Sequence, residues 1–340
     1  MKFKGLFGKK EPHVDKTEIK KRFQLIGRVG QGSMSRVWRA TDNFTENMVA
    51  VKVLDREKTL RFESRFIGLN KPVEGEIACA LDHPNCVRTL EHGITTEDEQ
   101  FLVMEFVEGV GLSMLVELQD DRMKRYRLSY MIQIGDALDY LHQQQFIHRD
   151  ICPRNILVSY ENKIKLIDFG LVVPNTPPFR QPGNRTGTAN YTAPELIKRQ
   201  PTDERIDIFS YAVTCYELYT KRHPWDAALT LDAVIQHINK PPKDIRELVP
   251  KIDEQIGDTI MKGLEARPDD RWRSMSEMTQ EFRQAEARLV AAARAKVAAR
   301  KGAKKAKRAK RPVKKRPGDT SKIGVKKKKA TREKPPKKDE

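Results

Sequence analysis

Asp150, Asn155 and Asp168 stand at offsets of five and thirteen residues near the middle of a 340-residue chain. They fall in Ile-His-Arg-Asp150-Ile-Cys-Pro-Arg-Asn155-Ile-Leu and in Ile167-Asp168-Phe169-Gly170. These are the polar groups that phosphoryl transfer from a metal-bound nucleoside triphosphate requires. One carboxylate can take up the proton of an attacking hydroxyl, and two oxygen donors can hold the metal. So many polar residues at fixed offsets are a specific signal.

A second set lies upstream. Gly30-Gln-Gly32-Ser-Met-Ser35-Arg-Val37 places glycines where a strand–turn–strand backbone can close over phosphates without a side chain in the way. A dinucleotide-binding turn would lead into a helix, whereas Val37-Trp-Arg-Ala40 favours a strand. Lys52, in Ala50-Val-Lys52, follows Gly30 by 22 residues and is flanked by apolar residues in a predicted strand. Burying an unpaired ammonium is costly, so a lysine here is uncommon unless it has work to do.

Taken together these stretches resemble protein kinases, in particular the bacterial eukaryotic-like (Hanks-type) serine/threonine branch. The resemblance covers about residues 22–285. It implies an α+β, two-lobed protein kinase fold: a small β-rich lobe with one helix, then a larger helical lobe. It implies ATP and Mg2+, with Mn2+ as a substitute ion, and protein substrates offering Ser or Thr. Lys52 would bind the α/β-phosphates and pair with a helix glutamate. Glu74, nine residues before His83-Pro-Asn85, is the favoured partner and Glu76 the alternative. Backbone groups of Glu105 and Val107 would meet adenine, with Met104 at the back of the pocket. Val29, Gly30, Gly32, Val37, Ala50 and Leu157 would complete the nucleotide site. Asp150 would accept or orient the substrate hydroxyl, Asn155 and Asp168 would hold metal, and Thr188 would hydrogen-bond Asp150. Gly187-Thr188-Ala-Asn-Tyr191 is the serine/threonine version of the acceptor floor. Glu195 is expected to pair with Arg271, and Asp207 to hold the catalytic loop.

Two positions depart from the family pattern. Ser35 replaces the third glycine, and Cys152 stands where a lysine normally neutralises charge on the transferred group. Arg154, immediately before Asn155, is the candidate replacement, because tyrosine kinases carry an arginine there and also lack the lysine. An arginine in a slot often held by glutamate also implies little demand for basic substrates. Cys152 is then a small filler that electrophiles could still reach. The rival is a pseudokinase scaffold that binds ATP and partners without transfer. Arg149, before the catalytic aspartate, usually signals control by a phosphate on the following segment. Thr176 and Thr186 are the candidates, with Asn184 nearer the usual place.

The elements that must position these groups follow from periodicity. Strands are expected over 29–40 around the glycine turn, at 48–54 and at 100–107, with a firm helix at 73–81. Leu128, Met131, Ile132, Gly135, Leu138 and Leu141 share one face of a helix over 126–144, and 207–219 is apolar all round. The expected organisation is a basic lead-in at 1–21, a sheet lobe at 22–108, a helical lobe at 109–286 and a disordered Lys/Arg/Ala-rich tail at 287–340.

Charge follows the same division. Residues 287–340 hold 23 Lys/Arg against 4 Asp/Glu, a net of +19, leaving 42 against 43 in 1–286. The tail is a polycation suited to nucleic acid or another polyanion, without sequence reading. A solubilising or autoinhibitory role competes, as does a role as substrate through Thr320, Ser321 or Thr331. The near-neutral remainder argues against a dedicated nucleic-acid binder. Four scattered cysteines (Cys79, Cys86, Cys152, Cys215) exclude a zinc or disulfide framework and suit a reducing cytoplasm. No apolar run reaches the roughly 18 residues of a membrane span.

Overall fold

The computed structural model describes residues 16–31, 34–182, 187–225 and 240–309. Five antiparallel strands form the first sheet: β1 (Phe23–Gln31), β2 (Ser35–Asp42), β3 (Met48–Leu54), β4 (Thr89–Ile94) and β5 (Gln100–Glu105), in the order β1-β2-β3-β5-β4. β3 is central, which is why it is buried on both faces rather than alternating inside and out. The pleat still sorts its side chains. Val49, Val51 and Val53 join Phe23, Ala40, Phe101 and Val103 in one small core. Ala50 and Leu54 join Leu102 and Met104 in the large core shared with the helical lobe. Lys52 has the parity of that second set and so is directed to the cleft side.

Patterning placed one helix among the strands; there are three. α1 (Ile19–Arg22) precedes β1, α2 (Arg56–Glu63) follows β3, and α3 (Glu74–Ala80) follows a 3-10 turn at Ser64–Phe66. The side chain of Asp55 caps α2 by accepting from the Lys58 amide (3.0 Å). Strand β4 was also not foreseen.

The helical lobe begins with β6 (Gly109–Gly111), α4 (Leu112–Leu118) and α5 (Asp121–Gln143). Asp120 caps α5 through the Met123 amide (2.8 Å), so the helix starts five residues before the expected 126. A two-residue strand β7 (Phe146–Ile147) precedes the Asp150 loop. The hairpin β8 (Ile156–Ser159) and β9 (Ile164–Leu166) then carries the chain to Asp168, β10 (Val173–Pro174) pairs back with β7, and α6 (Pro194–Ile197) ends the segment. α7 (Arg205–Thr220) is buried from Ile206 to Tyr216. Met275, Met278, Phe282 and Ala285 anchor the last helix, Met275–Ala309.

That helix runs past residue 287, the expected start of the tail, to Ala309. Alanine, lysine and arginine are poor core formers but strong helix formers, and the first proline comes at 312. The compact unit closes at Leu289, and a separate unit starts at Val290. The lead-in to residue 15, Gly32, Asn184, Thr186, Thr320, Ser321 and Thr331 lie outside the described residues. Among those described, no helix is long and apolar enough to cross a membrane.

Candidate active site

The sheet register brings the upstream motif together. Gly30 lies opposite Val37 and Val37 opposite Lys52, so Gly30, Val37 and the lysine form one row across β1, β2 and β3. Lys52 is 4% exposed. Its Nζ donates to Glu74 Oε1 (2.5 Å) and to Asp168 Oδ1 (2.8 Å), linking sheet, helix α3 and the Asp-Phe-Gly turn. Burial pulls the ammonium pKa down, but Asp168 and Glu74 outweigh it and hold lysine above its ordinary range. Burial likewise pushes Asp168 up, and Lys52 more than reverses that, so its carboxyl sits below the usual range. Both groups are charged at neutral pH.

Glu76 is excluded as the partner by a local bond. Its Oε2 accepts from the Val73 amide (3.0 Å), capping the helix that Glu74 begins. Gly170 makes room for the same cluster: a Cβ there would lie 3.2 Å from Glu74 Oε2 and 3.3 Å from Asp168 Oδ1. A cavity of about 90 Å³ beside these groups is lined by Met34, Lys52, Phe62, Glu74, Asp150 and Asp168.

At the other end of the sheet, Ala50 faces Met104 across β3 and β5, and both are buried. The Glu105 amide donates to the Arg88 carbonyl (2.9 Å), so an adenine contact from Glu105 falls to its carbonyl. Its carboxylate accepts from Lys165 Nζ (2.6 Å) and the Arg88 amide (2.9 Å), which fixes the strand's end. Lys165 was not singled out by sequence; its only signal was a lysine between Ile164 and Leu166 on a short strand. Val107, Val37 and Leu157 are half-buried, while Val29 is exposed.

The Asp150 loop is held from below by Asp207, which is fully buried. Its Oδ2 accepts from the His148 amide (2.7 Å) and meets His142 Nε2 (2.9 Å), and its Oδ1 accepts from the Arg149 amide (2.8 Å). Burial pushes the Asp207 carboxyl up, but these bonds, led by His142, bring it below its ordinary value. Arg149 takes a left-handed backbone (φ 72°) and is buried, and desolvation pushes its pKa down to about 10. The Glu195 carboxylate accepts from both Arg271 terminal nitrogens (2.7 Å each), a two-point pair closed off from water.

Asp150 is saturated on one oxygen. Its Oδ1 accepts from the Thr188 amide (2.7 Å) and hydroxyl (2.8 Å), and its Oδ2 accepts from Asn155 Nδ2 (2.8 Å). Gly187 permits this approach: its φ is +117°, and a Cβ would lie 2.7 Å from the Arg149 carbonyl. Because the Asn155 amide nitrogen also donates to the Asp150 carbonyl (2.8 Å), the oxygen Asn155 can offer a ligand is Oδ1. Together with Asp168 this is a hard oxygen donor set of the kind Mg2+ takes beside phosphates, so the residues fit that ion. The described residues contain no group of three or more His, Cys, Asp or Glu that could hold a metal unaided.

Cys152 is 1% exposed, with Sγ 3.8 Å from Thr188 Oγ1, and burial pushes its thiol pKa up. The expectation that electrophiles could reach it is therefore corrected: the thiol is enclosed and protonated. Arg154 is exposed, and its Nη2 donates to Thr188 Oγ1 (3.3 Å). Among the described residues no carboxylate pairs with it. A positive charge thus stands one hydrogen bond from Thr188, the partner of Asp150.

Residues 23–283 match the family described as "Protein kinase domain". The chain is similar to a probable serine/threonine-protein kinase of Clostridium perfringens, at 31% identity over 76% of this chain and 37% of that protein. It is similar to the serine/threonine-protein kinase PrkC of Bacillus subtilis, at 28% identity over 78% of this chain and 41% of the other. An Aurora kinase of Saccharomyces cerevisiae is 31% identical over 74% of this chain and 66% of its own length. The chain thus spans about two fifths of the length of the two bacterial relatives.

Proposed function

The chain belongs to the protein kinase family, and from that premise we propose that it transfers the γ-phosphoryl group of ATP to Ser or Thr hydroxyls of proteins. The observation that carries this reading is the double pairing of Lys52, with Glu74 and Asp168 at once. That arrangement leaves an ammonium fixed where nucleotide phosphates would lie under the Gly30–Val37 turn. Asn155 Oδ1 and Asp168 would hold Mg2+ (or Mn2+), which when bound would supply positive charge against the phosphates.

Asp150 Oδ2 takes or orients the hydroxyl proton as the substrate oxygen bonds phosphorus and the bridging oxygen leaves on ADP. Thr188, donating twice to Oδ1, keeps the carboxylate turned for that task. Arg154 supplies the positive charge at the transfer site that the residue at 152 does not. The floor at Gly187–Tyr191 supports Ser/Thr rather than Tyr as acceptor. The basic residues from 287 onward support a weak tether to nucleic acid or another polyanion, strongly dependent on salt.

The test is Mg-ATP-dependent labelling by the full chain, with phosphoamino-acid analysis and Asp168→Ala as the blank. Phosphoserine or phosphothreonine that disappears in the blank is expected. Nucleotide binding without transfer would favour the scaffold reading, for which buried Cys152 is the argument.

A further inference from the structure

Three aromatic rings join the segment that follows Asp168 to the sheet lobe. Phe62 in α2 and Phe66 in the 3-10 turn after it meet edge to face, with centroids 5.3 Å apart. Phe66 in turn lies 5.8 Å from Phe179, in the 3-10 turn Pro177–Arg180. All three are buried, and the Lys71 ammonium stands 5.5 and 5.8 Å from the Phe62 and Phe66 centroids. Phe62 also lines the cavity that contains Lys52, Glu74 and Asp168.

The same segment is tied to the helical lobe by polar bonds. Buried Asn175 donates to Glu204 Oε2 (2.8 Å) and accepts from Arg180 Nε (2.8 Å), while its amide donates to the Gln145 carbonyl (2.7 Å). The Arg180 carbonyl accepts from the Thr202 amide (2.9 Å). Thr176, at the start of the turn, is exposed and takes no part through its side chain.

We propose that Phe179 and Phe66 are a positioning pair. They hold residues 175–182 between the lobes and, through Phe62, keep Glu74 on Lys52, so that transfer needs no phosphate on the segment. This rests on the kinase reading, and it differs from the expectation that Arg149 raises. An apolar contact between the lobes gives the segment what a phosphate pairing with buried arginine would otherwise supply. Deleting a ring should therefore loosen both the segment and the ion pair it backs.

The test compares full-length wild type, before and after treatment with a phosphoprotein phosphatase, with Phe66→Ala, Phe179→Ala and Phe179→Leu. Hydrogen exchange of amides 175–182 is read beside kcat and the KM for ATP. Phosphatase-treated wild type should keep slow exchange and a kcat within about twofold of the untreated protein. Each alanine variant should exchange about tenfold faster or more, with kcat down about tenfold and the KM for ATP up about fivefold. Phe179→Leu should recover most of this, and the double alanine variant should be little worse than either single one. A merely structural loss would lower the active fraction and leave the KM for ATP unchanged.

Collapse of wild-type turnover on phosphatase treatment would overturn the proposal, as would unchanged exchange in Phe179→Ala. A wild type that transfers nothing but keeps a protected segment, exposed by Phe179→Ala, would refute the kinase reading and leave the positioning pair standing.

Discussion

The nucleotide side and the transfer side of this site are built on different physical terms. Lys52 and Glu74 are buried and bonded at 2.5 Å, with Asp168 closing the set at 2.8 Å. No residue there departs from the family pattern except Ser35. On the transfer side the residue before Pro153 is a buried neutral thiol, and the exposed Arg154 donates to Thr188. Buried charges must keep their partners, because stranding one costs several kcal/mol. An exposed charge can shift by a residue or two and still act on a phosphoryl group above it. The role proposed for Arg154 makes the charge at transfer in this chain a matter of position rather than of one residue.

Substitutions on the two sides break or sharpen that contrast, in falling order of effect. Asp150→Asn removes the group proposed to take the hydroxyl proton, and kcat should drop by about a thousandfold with nucleotide affinity nearly unchanged. Steady-state transfer beside nucleotide titration would read both. Arg154→Ala should lower turnover on the order of several hundredfold if the charge has moved there, with Arg154→Lys recovering part of it. A silent Arg154→Ala would return the site to a single-residue account. Glu74→Gln should raise the KM for ATP about tenfold, whereas Glu76→Gln, which touches only a helix cap, should change it less than about twofold. Cys152→Ala should be the smallest, within about twofold in kcat, because an enclosed protonated thiol has no part in the chemistry. Cys152→Lys is a poorer probe, since it would force an ammonium into a site with 1% exposure.

How far the chain could be read before its structure follows the same line. Lys52, Asp150, Asn155 and Asp168 were legible because each sits in a short contiguous motif whose chemistry limits the residue types. Glu74 is favoured over Glu76 by its spacing to His83-Pro-Asn85, and the structure adds the reason Glu76 is unavailable, its bond to the Val73 amide. Helix α2 was missed because it buries only Thr59 and Phe62, too little for a stripe, although Asp55 was a usable cap signal. Strand β4 was hidden by Glu91, His92 and Gly93, which interrupt any apolar alternation. Composition marks the start of the tail at 287, yet the same alanines and lysines favour a helix there as strongly as they disfavour a core. The Phe66–Phe179 contact spans more than a hundred residues, and no local pattern announces it.

The most direct measurement is single-turnover transfer of labelled γ-phosphoryl from Mg-ATP to a serine- or threonine-containing protein substrate. It should be run at saturating nucleotide on wild type, Asp150→Asn and Arg154→Ala. The account predicts rapid transfer by wild type, and large losses in both variants at undiminished nucleotide binding. Wild type that binds Mg-ATP and transfers nothing would contradict it and leave a scaffold whose nucleotide side is intact.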